Sequence, residues 1–191
     1  VILANPANPA STYLGDQAIE WFVGQVPESV LVVLDEAYYE FVDSPDYPRT
    51  MEYIQAGRKN VMILRTFSKI YSLAGLRLGY GIAHPEVLAP LNKVREPFAV
   101  SLIAQAGGLV ALAEDGHCQA AAAANKEGRA FLYREFERLG LCYVKSQANF
   151  VMVRLGPNAG QLFQSLLQNG IIVRPCAGYE LPEFVRITIG T

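Results

Sequence analysis

Val61-Met62-Ile63-Leu64-Arg65-Thr66-Phe67-Ser68-Lys69 starts as an unbroken apolar run and ends in two hydroxyls and a lysine. A short apolar run bounded by polar residues reads as a buried strand, Val61–Leu64. Its polar tail matters because ligands of an open parallel sheet bind beyond the carboxyl ends of the strands. Working outward, Val30–Leu34 is a second such run and leads into Asp35-Glu36-Ala37-Tyr38. Val1–Ala4 leads into Asn5-Pro6-Ala7-Asn8-Pro9, and Leu78–Ala83 is a fourth run. Helical stretches separate them: Gly15–Val26, and Pro85–Val94 with a proline in its first turn. Strands alternating with helices predict an α/β fold with a mainly parallel sheet.

The second half reads differently. Ser101–Glu114 and Gln119–Leu139 are expected as long helices, followed by strands Cys142–Lys145 and Asn149–Arg154. Gly160–Gln168 is expected as a helix stopped by Asn169-Gly170, a C-terminal capping signal. Ile171–Arg174 and Phe184–Ile189 are the last expected strands. The expectation is a large α/β domain over 1–112 and a small α+β domain over 113–191, divided along the helices between Pro97 and Gly116.

Composition narrows the function. Of 191 residues, 51% are hydrophobic and 18% charged, enough apolar material for a packed core. A formal net charge of -2 gives no basic surface for nucleic acid or an anionic membrane. Three widely spaced cysteines and two histidines suit neither a disulfide framework nor a metal cluster. Reduced thiols of this kind are expected in the cytoplasm. No apolar run reaches membrane-spanning length. The chain opens inside a strand without Met, so it is expected to be a fragment or truncated product.

The strand ends bring together an acid, an amide, a phenol, hydroxyls, a lysine and, at Arg77, a guanidinium. Each alone has a bland reading: a strand-end Asp is commonly a cap, a lysine a solvated side chain, Asn-Pro a turn. Gly75–Gly81 lacks the spacing of a phosphate loop.

In combination they resemble a known family. Asn-Pro-Ala-Asn-Pro (5–9), Leu-Asp-Glu-Ala-Tyr-Tyr-Glu-Phe (34–41) and Arg-Thr-Phe-Ser-Lys-Ile-Tyr-Ser-Leu-Ala-Gly-Leu-Arg-Leu-Gly-Tyr (65–80) look like successive landmarks of fold-type I aminotransferases. Leu-Pro-Glu-Phe-Val-Arg-Ile-Thr-Ile-Gly-Thr (181–191) resembles the end of the histidinol-phosphate aminotransferases. The resemblance spans the chain and departs at Asn8-Pro9-Ala10-Ser11, where the family has Asn-Pro-Thr-Gly.

The resemblance implies pyridoxal 5'-phosphate (PLP) as cofactor. Lys69 would carry it as an imine, Asp35 would face the pyridine nitrogen, and Asn8 and Tyr38 would bond the ring's phenolic oxygen. Thr66, Ser68 and Arg77 would hold its phosphate. Arg186 would bind the anionic group of the substrate. Arg174 has two readings, a second guanidinium suited to a phosphate dianion or a strand-end arginine in a surface ion pair. The implied reaction exchanges histidinol phosphate and its ketone against 2-oxoglutarate and glutamate, in a homodimer. The upstream part of the family's pattern, which supplies further phosphate contacts and a stacking aromatic, precedes the segments found here. The four strands of the first half are therefore expected to form the contiguous middle of a larger sheet, in a piece that folds without turning over by itself. The alternatives are another fold-type I enzyme, an aromatic aminotransferase or phospho-amino-acid decarboxylase, and a non-catalytic truncated remnant.

Overall fold

The computed structural model describes residues 1–190, apart from the side chain of residue 115; the final threonine of the 181–191 signature lies outside the described residues. Strands β1 (Ile2–Ala4), β2 (Val32–Asp35), β3 (Val61–Thr66) and β4 (Gly79–Ala83) form one sheet in that order. β1, β2 and β3 are parallel, and β4 returns antiparallel to β3. The four expected strands are contiguous, each within two residues of its expected ends.

Period-two alternation gives this sheet two unlike faces. Val32, Leu34, Val61 and Ile63 are almost fully buried on one of them. Helix α1 (Asp16–Gln25) seals that face with Ile19 and Val23, one turn apart, while Trp21 stays exposed on its far side. Full burial of each such side chain is worth about 1.5–3 kcal/mol, so this cluster anchors the sheet. A short helix α2 (Met51–Gln55) adds Tyr53 and Ile54. The opposite face carries Asp35, Leu64, Thr66, Gly79 and Gly81 in register and is only partly covered.

Helix α3 (Pro85–Val94) matches its expected range; His84 caps it by accepting from the Glu86 N–H. Helices α4 (Leu102–Ala113) and α5 (Asp115–Arg138) nearly abut, so α5 starts four residues before its expected position. The second sheet is antiparallel, with β5 (Cys142–Tyr143), β6 (Phe150–Arg154), β8 (Phe184–Thr188) and β7 (Arg174–Pro175) in spatial order. α5 backs it by packing Leu132, Tyr133 and Phe136 on Val151, Val153 and Val185. Helix α6 (Ala159–Gln168) ends as expected, with Gly170 at φ 77° in the left-handed region.

Two expected strands need correction. Ile171–Arg174 is strand only from Arg174, because Ile171 and Ile172 lie exposed and find no ladder partner. Cys142–Lys145 stops at Tyr143, after which the chain turns through Ser146 and Ala148. The two sheets meet along an apolar seam in which Tyr38, Phe41 and Ile70 pack against Ala148 and Phe150.

Candidate active site

Where β2 and β3 end, the alternation of their side chains divides the chemistry between the two faces. Asp35 and Thr66 fall on the open face. Glu36 and Arg65 fall on the covered face, in line with Val32, Leu34, Val61 and Ile63. A charge at a core-facing position needs a partner. Glu36, 1% exposed, accepts from Arg65 Nε at 2.9 Å and from Thr50 Oγ1 at 2.5 Å. Arg65 Nη2 adds an ion pair at 2.9 Å, and its guanidinium lies 3.5 Å from the Tyr39 ring centroid. Burial raises the Glu36 carboxyl above its ordinary value, against the lowering by Thr50 and Arg65. The sequence reading missed this pair. The signal was present: Glu36 and Arg65 each continue the buried alternation of their strand.

The open face holds a cavity of about 610 Å³ lined by Asp35, Thr66, Ser68, Lys69, Arg77 and Gly79, among others. Five sequence-derived candidates are thus brought together. Asp35 accepts from the Ala37 N–H at 3.2 Å, a light local contact that leaves its carboxylate facing the cavity. Thr66 Oγ1 accepts from the Ser68 N–H at 3.0 Å and shapes the turn that presents Ser68 and Lys69. Lys69 is half-buried, its Nζ 5.4 Å from the Tyr38 ring centroid, with no hydrogen bond or ion pair to that nitrogen among the described residues.

Gly79 and Gly81 leave the floor bare. A Cβ at Gly79 would reach 3.0 Å from the Arg65 carbonyl, and one at Gly81 would overlap Met62. Arg77 stands at φ 55° and donates from Nη1 to the Ala74 carbonyl at 2.8 Å. Its loop packs on α4, where a Cβ at Gly107 or Gly108 would come within 2.6 Å of a Leu76 or Leu78 methyl and make that leucine shift.

Tyr38 does not line the cavity. It is buried beside it and meets Phe150 edge-on at 5.2 Å between centroids. Burial raises its phenol above the ordinary value, while the nearby Arg186 guanidinium lowers it. Arg186 and Asn8 also lie outside the lining, and they contact each other: Arg186 Nη1 donates to Asn8 Oδ1 at 2.6 Å. The expectation separated Asn8 and Arg186 into cofactor and substrate duties; the structure links them directly. Arg186 Nε is buried with no hydrogen-bond partner, and its guanidinium stands 4.8 Å over the Phe150 ring.

Arg174 faces Arg186 directly across the β7–β8 ladder. Like charges directly opposite repel. Arg174 has no salt bridge among the described residues. Two arginines at paired ladder positions, one with an unsatisfied buried N–H, suit an anion.

Asn5 and Ser11 are structural. Asn5 exchanges bonds of 3.0 and 2.8 Å with Leu14 and fixes the loop after β1. Ser11, fully buried, stands at φ 60° where the resembled family has glycine, so the left-handed turn is kept despite the missing glycine. Among the described residues no group of three His, Cys, Asp or Glu side chains converges on a metal-sized site, and no helix is long and apolar enough to cross a membrane.

Residues 1–191 match the family model for aminotransferases of class I and II. A histidinol-phosphate aminotransferase of Moorella thermoacetica is 50% identical over 191 residues, covering 100% of this chain and 50% of that protein. One from Akkermansia muciniphila is 48% identical, covering 100% and 52%. The crystal structure of histidinol-phosphate aminotransferase from Sinorhizobium meliloti in complex with pyridoxal-5'-phosphate superposes with a TM-score of 0.90 at 32% identity, covering 100% of this chain and 53% of that one. The chain spans about half the length of the curated relatives it matches.

Proposed function

The chain belongs to the class I and II aminotransferase family, and from that membership we propose that it carries the PLP site and the substrate-anion site of a histidinol-phosphate aminotransferase. The observation that carries the reading is the cavity itself, which gathers Lys69, Asp35, Arg77, Thr66 and Ser68 around a floor of Gly79 and Gly81. That donor set fits PLP: Lys69 for its aldehyde carbon, Asp35 for its pyridine nitrogen, and Ser68, Thr66 and Arg77 for its phosphate. When bound, PLP supplies an electron sink for charge developing at the substrate's α-carbon.

The chain's own residues do the rest. The Asp35 carboxylate places negative charge where a protonated ring nitrogen is favoured. Lys69 Nζ, unpaired and half-buried, can take and return a proton within the cavity. The Arg77 guanidinium attracts a phosphate at the cavity's edge. Asn8 and Tyr38 stand on the side towards Arg186 and suit the ring's phenolic oxygen. Arg186, with Arg174 across the ladder, suits the phosphate of histidinol phosphate; 2-oxoglutarate and glutamate are the proposed second pair. The proposed working unit is a homodimer in the cytoplasm, divided into a large domain over 1–112 and a small one over 113–191.

The reading is tested by incubating the protein with PLP, reducing with borohydride and mapping the pyridoxyl group by mass spectrometry. The expected label sits on Lys69. Label on Lys59 or Lys93 instead overturns the assignment.

A further inference from the structure

The seam between the two sheets is apolar at its centre. Among the described residues, the ion pairs that cross it both end on Asp43, in the segment after β2. Arg129 Nη2 lies 2.8 Å from Asp43 Oδ1, and Lys126 Nζ lies 3.4 Å from Oδ2. The Arg129 side chain is only 6% exposed, and its Nη1 is buried with no hydrogen-bond partner. The Asp43 N–H donates to Gln147 Oε1 at 2.8 Å, and the Gln147 N–H donates to the Ser11 carbonyl at 3.2 Å. One turn before Arg129, Asn125 Nδ2 holds the Ala148 carbonyl at 3.3 Å.

Arg129 is rigidly tied to the sheet that carries Arg186. Its neighbour Gly128 packs so closely on Ile189 that a Cβ would overlap the isoleucine, and Phe136, two turns on, is in the core of that sheet. A shift of α5 therefore carries β8 and Arg186 with it. The apolar seam is non-directional and tolerates small sliding. A close ion pair to a nearly buried guanidinium fixes a distance that the apolar seam does not.

We propose that Asp43 is a positioning residue, whose pair with Arg129 sets where the second sheet presents Arg186 to Asn8 and the cavity. The consequence for substrate rests on the function proposed above; the geometric role does not. Asp43→Asn keeps the side chain's shape and removes its charge. The double variant Asp43→Asn/Arg129→Met removes both charges, so it leaves no unpaired buried guanidinium and is the variant expected to stay folded.

The first readout needs no ligand: the side-chain Nε–H resonance of Arg186 in a ¹⁵N-labelled protein, identified by its loss in Arg186→Lys. The resonance is expected to shift or broaden in both Asp43 variants, to return in Asp43→Glu, and to stay unchanged in Lys126→Ala. The second readout is calorimetric binding. Histidinol phosphate is expected to bind about tenfold more weakly to the double variant, the loss of roughly one charge-assisted contact. PLP, held on the first sheet, is expected to change less than about twofold by the same reasoning. A folded double variant with an unchanged Arg186 resonance overturns the proposal. A resonance that responds while the parent protein ignores histidinol phosphate supports the positioning role and overturns the substrate reading instead.

Discussion

Asp35 and Glu36 are neighbours in sequence on opposite faces of one strand, so the same chemical change at each should have opposite consequences. Consider Glu36→Gln and Asp35→Asn. The Glu36 carboxylate is 1% exposed and receives Thr50 Oγ1, Arg65 Nε and Arg65 Nη2. An amide can keep the Thr50 bond but presents its own donors, or a neutral oxygen, to Arg65. Removing one member of a buried ion pair costs about 3–5 kcal/mol. Arg65 retains contact with the Tyr39 ring, and Glu36 already meets a burial penalty as the anion, so the low end, about 3 kcal/mol, applies. For a chain of this size that lowers Tm by roughly 6–12 °C. Asp35 accepts one bond, from Ala37 N–H at 3.2 Å, which an asparagine oxygen can also accept. Its stability cost should stay below about 1 kcal/mol, or roughly 2–4 °C in Tm. Asp35→Asn should nonetheless keep pyridoxyl labelling of Lys69, since the amide removes the charge that favours a protonated ring nitrogen and leaves the Lys69 amine in place. Thermal and urea unfolding of the two variants beside the parent check the contrast. A Glu36→Gln protein melting within about 2 °C of the parent, or an Asp35→Asn protein melting as low as Glu36→Gln, would refute the division of faces.

Three further outcomes are expected. Burial raises the Glu40 carboxyl, and its Oε2 is buried without a partner; the folded state holds that proton more tightly than the unfolded chain does. The stabilisation is therefore complete below the ordinary value of 4.5 and is lost as pH rises through the higher folded-state value. Stability against urea should fall over that interval, and Glu40→Gln should flatten the fall; an unchanged slope refutes the assignment. Ser11→Gly relieves about 1–2 kcal/mol of left-handed strain and gives back about 0.5–1 in chain entropy. The unfolding free energy should stay level or rise by about 1 kcal/mol, and a loss larger than that would mean the Ser11 hydroxyl bond to the Ala10 carbonyl dominates. Arg186→Ala should weaken histidinol phosphate in calorimetry by about 1.5–3 kcal/mol, with a smaller change for PLP arising through the freed Asn8. Equal losses for both ligands would contradict the separation of the two sites.

Much of this protein was legible as sequence because its governing rules are local. Continuous apolar runs mark Val30–Leu34 and Val61–Leu64 as strands whatever surrounds them, within two residues of the observed Val32–Asp35 and Val61–Thr66, and Pro85 and Gly170 mark helix ends by backbone constraint alone. The motif order placed Asp35, Thr66, Ser68, Lys69 and Arg77 together, because parallel strands must deliver their carboxyl ends to one edge. What only the tertiary structure decided depends on partners remote in sequence. The failure of Ile171 and Ile172 to form strand is a matter of absent ladder neighbours, which β propensity cannot report. The contact of Asn8 with Arg186 joins positions 178 residues apart, and no local pattern sets that distance. Asp43 reads in the sequence as an ordinary loop carboxylate. It becomes the crossing point of the two sheets only because α5 packs a nearly buried arginine against it, and burial with its charge pairing is a property of the packed molecule that a residue's neighbours in sequence do not carry.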